Sequence, residues 1–356
     1  MQLKIIISIF NPYPDIMNHF CGGCLSKNGF FFRTKYLLLI LWVGIIGLSC
    51  TDDDGAIAPE ELVQWENLDS QDGLISDAVF TTLTDQNGHI WVGTDEGIMQ
   101  YDGEQFINYN TFNNQIGFID AITEDSEGRI YAGSSNGFGI FEDGEWSFFN
   151  GITGSQIPLD AVALFADSND VVWLGTSFLG LLSFNGTQFS QFIDDVCGLC
   201  NDVNVFFEDS NGLLWIGTEG GLKNFDGNTF ERFRDFDGLP NNRIRSLEED
   251  QWGRLWIGTI EGEQVGIFED GEISTLSLSN SFPFNAIFGI EEDITGRIWL
   301  GLLSQGGLVS YDGAVMRTNR DPSGPGDTPI TSINPGPNNT LLVGTFENGL
   351  WIYTPN

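Results

Sequence analysis

The stretch "DSNGLLWIGTEGGLKNFDG", Asp209–Gly227, decides the fold because the chain says it seven times. "DQNGHIWVGT" ends at Thr94, "DSEGRIYAGS" at Ser134, "DSNDVVWLGT" at Thr176, "DQWGRLWIGT" at Thr259 and "DITGRIWLGL" at Leu302. A worn copy, "NTLLVGT", ends at Thr345. The motif glycine falls at Gly93, Gly133, Gly175, Gly217, Gly258, Gly301 and Gly344, in steps of 40, 42, 42, 41, 43 and 43 residues. A period in this range marks a stacked or radial array of identical units.

Each letter of the stretch has a physical reading. Asp209 opens a turn, its carboxylate placed to accept backbone N–H groups two or three residues on, and Gly212 supplies φ > 0. Trp215 is a large apolar body, and Gly217, two residues on, shares its face and lets a neighbour approach closely. Leu214 and Ile216 point the other way and are also apolar, so this strand is buried on both faces. "NDVNVFFED" before it and "NTFERF" after it complete four short strands in about 42 residues, with no sustained helical stripe. That is one propeller blade. Asp102-Gly103, Asp143-Gly144, Asn185-Gly186, Asp226-Gly227, Asp270-Gly271 and Asp312-Gly313 predict a type I′ hairpin between the third and fourth strands of six blades.

The ends of the repeats predict how the ring closes. The last repeat stops after its third strand, in "NGLWIYTPN", and an orphan strand, "LVQWENLD" at Leu62–Asp69, precedes the first. The orphan resembles the fourth strands "EQFINYN" and "GEWSFFN". Pairing it into the last blade gives an all-β, seven-bladed propeller of four-stranded antiparallel blades over residues 62–356, closed by both termini and left without orphan edges.

Residues 1–49 read as a leader. Lys27, Arg33 and Lys35 precede the apolar run Tyr36–Leu48, which is short for a membrane span and right for a signal core. "GLSC" followed by "TDDDG" resembles a bacterial lipobox with Cys50 as the lipidated residue, although Gly47 stands where the motif usually has leucine. Ordinary signal cleavage and an N-terminal anchor helix are the alternatives. Residues 50–61 form an acidic linker, whose Asp52–Asp54 resembles the export signal of Bacteroidetes surface lipoproteins. The expected location is the outer membrane or cell surface, with membrane contact only through the lipid. Within the ring, the cysteines are Cys197 and Cys200, in "CGLC". A small structural disulfide is the expectation in an exported protein, with free thiols or a redox or metal pair as alternatives.

Four of the 14 basic residues and one of the 50 acids precede Cys50, so the remainder carries a net charge of about −39. Such a surface argues against nucleic acid, which is held by Lys and Arg neutralising phosphates. No turn has the alternating ligand spacing of a dedicated Ca²⁺ loop, so no cofactor or metal is expected, Ca²⁺ being the one ion left open. His89 is the sole histidine beyond the leader, and its slot holds Arg, Val or Leu in other repeats. Histidine triads and multi-histidine metal sites are thereby nearly excluded, and no catalytic residue is assigned.

The turns joining first to second and third to fourth strands share one face and are stereotyped. The loops on the other face vary, and variable loops on a rigid scaffold carry function. Candidate ligand-binding residues there are Phe178, Arg243, Arg245, Phe282, Phe284 and Phe346, an aromatic and arginine palette typical of binding hot spots. Phenylalanines that merely plug loops are the equal alternative.

"LPNNRIRSLEEDQWGRLWIGT" and "DSNGLLWIGTEGGLKNFDG" resemble two-component regulator propeller repeats over Leu62–Asn356. In that family the repeats form exported sensor regions of hybrid histidine kinases, often for glycan breakdown products. The resemblance implies the fold and a disposition to bind, and it carries over no site residues. The sequence ends at Asn356 without the family's kinase, so phosphotransfer is not expected. The function expected is a monomeric, surface-anchored binding module for a glycan or protein partner, with an exported lyase or hydrolase as the alternative.

Overall fold

The computed structural model describes residues 64–109, 117–151, 159–177, 179–192, 202–278, 286–303, 307–318 and 323–355. They form 28 strands, β1 to β28 in chain order, in seven four-stranded antiparallel sheets. Among the described residues, helix is limited to single 3-10 turns at Asp235–Asp237 and Pro337–Asn339. The quoted stretch builds blade four from β14 (Val203–Glu208), β15 (Leu214–Thr218), β16 (Gly221–Phe225) and β17 (Phe230–Phe233). All five residues of β15 are buried, as expected of a strand apolar on both faces.

The first strands of the blades are β2 (Val79–Thr84), β6 (Ala121–Glu124), β10 (Ala163–Ala166), β14, β18 (Ile244–Glu249), β22 (Ile287–Glu292) and β26 (Ile330–Pro335). They adjoin one another in cyclic order, β26 meeting β2, and so surround the axis. Closure is as the orphan strand predicts. β1 (Gln64–Leu68) pairs antiparallel with β28 (Leu350–Thr354), and the last blade runs β1, β28, β27 (Leu341–Thr345), β26.

The motif residues fill the seams between blades. A Cβ on Gly217 would lie 2.7 Å from Ile244 Cγ2 of the next blade, and one on Gly133 would lie 2.3 Å from the Ala161 carbonyl oxygen. Only glycine permits that approach. Trp215 is 2% exposed and packs with Ile244, Leu247 and Ile257 across the seam. Its ring meets Phe268 edge-on, with centroids 4.9 Å apart. Such aromatic pairs add to the stabilisation from area burial.

The aspartate does more than start a turn. Asp209 Oδ1 accepts the N–H groups of Asn211 and Leu213, two and four residues on, while Oδ2 accepts the Trp215 indole N–H at 2.9 Å. The N–H three residues on goes instead to the Asp209 carbonyl. Asp85, Asp167, Asp250 and Asp293 hold their tryptophans likewise, and Asp125 accepts from the Tyr131 hydroxyl at 2.7 Å. One carboxylate thus ties the turn to the seam filler in six blades, Gly336 standing in its place in the seventh.

A second device joins blades. The N–H groups of Gln86, Ser168, Ser210 and Gln251 donate to Glu124, Glu208, Glu249 and Glu292, each at the end of the next blade's first strand. In blade three Ala166 occupies that place, and Asp170 from the turn takes the Ser126 N–H instead. At the closing seam, Thr84 donates to the Pro335 carbonyl at 2.8 Å and Asn334 donates to Thr82.

The hairpin expectation holds for two turns and is corrected at four. Asp143 and Asp270 have φ of 53° and 51°, each followed by a positive-φ glycine, in two-residue loops as type I′ requires. At Asp102, Asn185, Asp226 and Asp312 only the glycine has positive φ. There the loop is four residues long, and the Asp or Asn side chain accepts N–H groups two and three residues on, as Asp226 does from Asn228 and Thr229. A side-chain turn replaces the backbone one.

Candidate functional site

The blade-joining segments and the loops between second and third strands surround one mouth of the axial channel. Val79, Ile119, Ala161, Val203, Ile244, Ile287 and Ile330 each pack on the motif glycine of the preceding blade. The residue that follows each is Phe80, Asp120, Val162, Asn204, Arg245, Phe288 or Thr331. In five blades the strand register slips at this residue. A bulge of this kind re-aims a side chain. Six of the seven are only half-buried, Thr331 being buried. Two residues earlier stand Phe118, Asp160, Asp202 and Arg243 in blades two to five.

The mouth is divided into sectors. Phe80 lies against Phe118 with ring centroids 4.0 Å apart, and Phe346 meets Phe80 edge-on at 5.8 Å. Across blades four and five, Arg243 Nε donates to Glu219 at 2.9 Å, Arg245 approaches the same carboxylate at 3.5 Å, and Asn204 donates to it at 2.8 Å. The Arg245 guanidinium also lies over the Phe288 ring, 5.6 Å from its centroid. Burial lowers the Arg245 pKa to about 10.

Acids fill the arc between. Burial, reinforced by the charge of Asp160, raises Asp120 well above the usual carboxylate range. Asp160 is raised by burial against the opposing hydrogen bonds of Ser177. Asp202 is raised to about 6 by burial and then by Glu219 and Asp160. Among the described residues, no three His, Cys, Asp or Glu side chains converge as a metal site. His89 sits on the opposite face, its Nδ1 3.3 Å from Asp85 Oδ2 in the turn.

At the turn end of the channel, Glu248 and Glu291 hold equivalent places on β18 and β22, one residue before the joining carboxylates Glu249 and Glu292. Burial first, then neighbouring acids, raises both. Because the folded pKa is raised, the unfolded chain ionises above about pH 4.5 while the folded one resists, and stability falls as pH rises from there into the alkaline range. Glu248→Gln is therefore expected to raise the thermal midpoint at pH 8 by roughly 3 °C or more, with little change at pH 4. Thermal melts at the two pH values check it, and an equal effect at both would remove the explanation.

The family profile described as two component regulator propeller matches residues 73–96, 198–220 and 238–261. Three of the seven repeats thus match two-component regulator propeller repeats. Their matched segments span the turn and seam residues described above. No curated protein matches the chain by sequence. Among solved structures, the extracellular domain of a one component system from B. thetaiotaomicron superposes with TM-score 0.66 at 22% identity, covering 82% of this chain and 40% of that one. The extracellular domain of a hybrid two component system from the same organism gives 0.68 at 18% identity, with 82% and 42% covered. The chain thus spans about two fifths of the length of those chains. Virginiamycin B lyase from Staphylococcus aureus shares the fold as well, with TM-score 0.67, 12% identity and 83% and 99% covered.

Of the binding residues expected from sequence, the fold brings Arg243 and Arg245 together on Glu219 and places Phe346 in the aromatic sector. Phe178, Phe282, Phe284, Cys197, Cys200 and Cys50 lie outside the described residues. Phe80, Phe118, Phe288, Asp120, Asp160 and Asp202 were not anticipated. Their signal was available, because each motif aspartate stands six residues after the residue that packs on the glycine, or in blade seven Gly336 does. Counting back from it locates the ring-lining place in every blade.

Proposed function

We propose that this propeller is an exported binding module, anchored at the outer membrane or cell surface by a lipid on Cys50, whose loop-face mouth takes a glycan. A protein partner is the alternative. The observation that carries this reading is the sectored mouth. Seven nearly identical blades present six different residue types there, with packed rings, an arginine pair and acids within one opening. Aromatic faces with a few oriented polar groups are what an orienting binding site needs. The leader, the lipobox resemblance and the strongly acidic surface support export, and the likeness to extracellular domains agrees with it.

A glycan array probed with the full chain is expected to retain one sugar class. Phe118→Ala is expected to weaken that binding by about tenfold, the scale of one lost stacking contact. Capture of a protein with an empty array would favour the protein alternative. An empty array and an empty pull-down together would remove the binding reading.

A further inference from the structure

The arginines of the mouth already have counter-charges, since Arg243 and Arg245 share Glu219 and Arg243 also reaches Glu261 at 3.4 Å. The acids of blades two and three differ. Among the described residues, no lysine or arginine acts on Asp120 or Asp160, and the charge felt by Asp120 is that of Asp160. Asp160 is only 6% exposed. Its Oδ2 accepts the Ser177 N–H at 3.0 Å, but its Oδ1 is buried with no hydrogen-bond partner among the described residues. A buried carboxylate oxygen left without a donor costs free energy that a ligand donor would recover.

The adjoining wall is aromatic. Phe118 stands two residues before Asp120 and lies tilted against Phe80, with ring centroids 4.0 Å apart. Carboxylates beside aromatic faces form the chemistry that selects an ammonium group, through charge and through attraction to the ring quadrupole. A bare metal ion is a poorer match, because these side chains do not converge as a metal site. An ammonium group on a larger body spans such an arc, donating to a carboxylate while its carbon-bound hydrogens meet the rings.

We propose that the mouth binds a glycan bearing a free amino sugar, its ammonium held by Asp160 and Asp120 and its sugar face on Phe80 and Phe118. The inference rests on the binding role given above and names the ligand chemistry for it.

Calorimetry on the full chain tests it, with deacetylated chitotriose against N-acetylated chitotriose at a pH where the amines are protonated. The deacetylated sugar is expected to bind at least about tenfold more tightly. Asp160→Asn, which keeps shape and removes charge, is expected to erase that preference. Phe80→Leu is expected to weaken both sugars, and unchanged circular dichroism and thermal midpoints confirm that the variants fold. Equal affinity for the two sugars, or a preference that survives Asp160→Asn, overturns the amino-sugar inference while leaving an array-detected glycan site standing. Nα-acetyl-lysine amide binding as tightly as the deacetylated trisaccharide overturns the sugar as the source of the ammonium.

Discussion

A chain that begins after Asp69 is expected to lose its cooperative unfolding transition. Without β1, the last blade has three strands and β28 becomes an open edge beside blade one. Five residue pairs are lost, from Gln64 opposite Thr354 to Leu68 opposite Leu350. Leu68 is 5% exposed, and Trp65 packs against Tyr353, Trp351 and Trp299, with centroid separations of 5.0, 6.2 and 6.4 Å. Burying two such side chains stabilises by about 1.5–3 kcal/mol each, and each ladder hydrogen bond adds roughly 1 kcal/mol. The sum rivals the whole stability of an ordinary domain, about 5–15 kcal/mol. Urea titration followed by circular dichroism checks this, and adding a peptide of residues 64–69 in excess is expected to restore part of the transition. A truncated chain with the full-length midpoint would show that the ring does not depend on its terminal clasp.

The second large effect is at the seam. Trp215→Ala is expected to destabilise by about 3–5 kcal/mol, since the indole is buried between blades four and five and its removal leaves a cavity. Trp215→Phe separates the two roles of the residue. It keeps most of the apolar volume but leaves Asp209 Oδ2 without its indole donor, at a cost of about 1–3 kcal/mol. Denaturant midpoints of the two variants distinguish the contributions. A loss under about 1 kcal/mol for the alanine variant would mean that the seam collapses around the gap.

These sites are legible in the sequence because repetition exposes them. A large apolar residue, tryptophan in five copies, and a glycine two residues on, recurring at a period of 40 to 43 residues, mark the packed seams of a repeat array. The unmatched strand at one end and the missing strand at the other implied the clasp. Less was legible where a side chain chooses between partners. The sequence suggested type I′ turns for six Asx-Gly pairs, but at Asp102, Asn185, Asp226 and Asp312 the loop is longer and the side chain caps it. The indole bond to the aspartate is not legible either, because it joins a turn residue to a strand residue six positions on and depends on how the turn folds back.

The candidate site divides in the same way. Arg243, Arg245 and Phe346 stand in variable loops and could be nominated from sequence, whereas the pairing of both arginines on Glu219 could not. The sequence by itself determined seven blades, their four-strand order, the clasp and the face that varies, because each depends on spacing and periodicity along the chain. Only the tertiary structure decided what the mouth contains. Each blade contributes one or two side chains to it, about 40 residues from the next, and Phe80 reaches Phe118 and Phe346 only after the ring closes. Closure turns seven unrelated letters into one surface with rings, paired arginines and an acid arc.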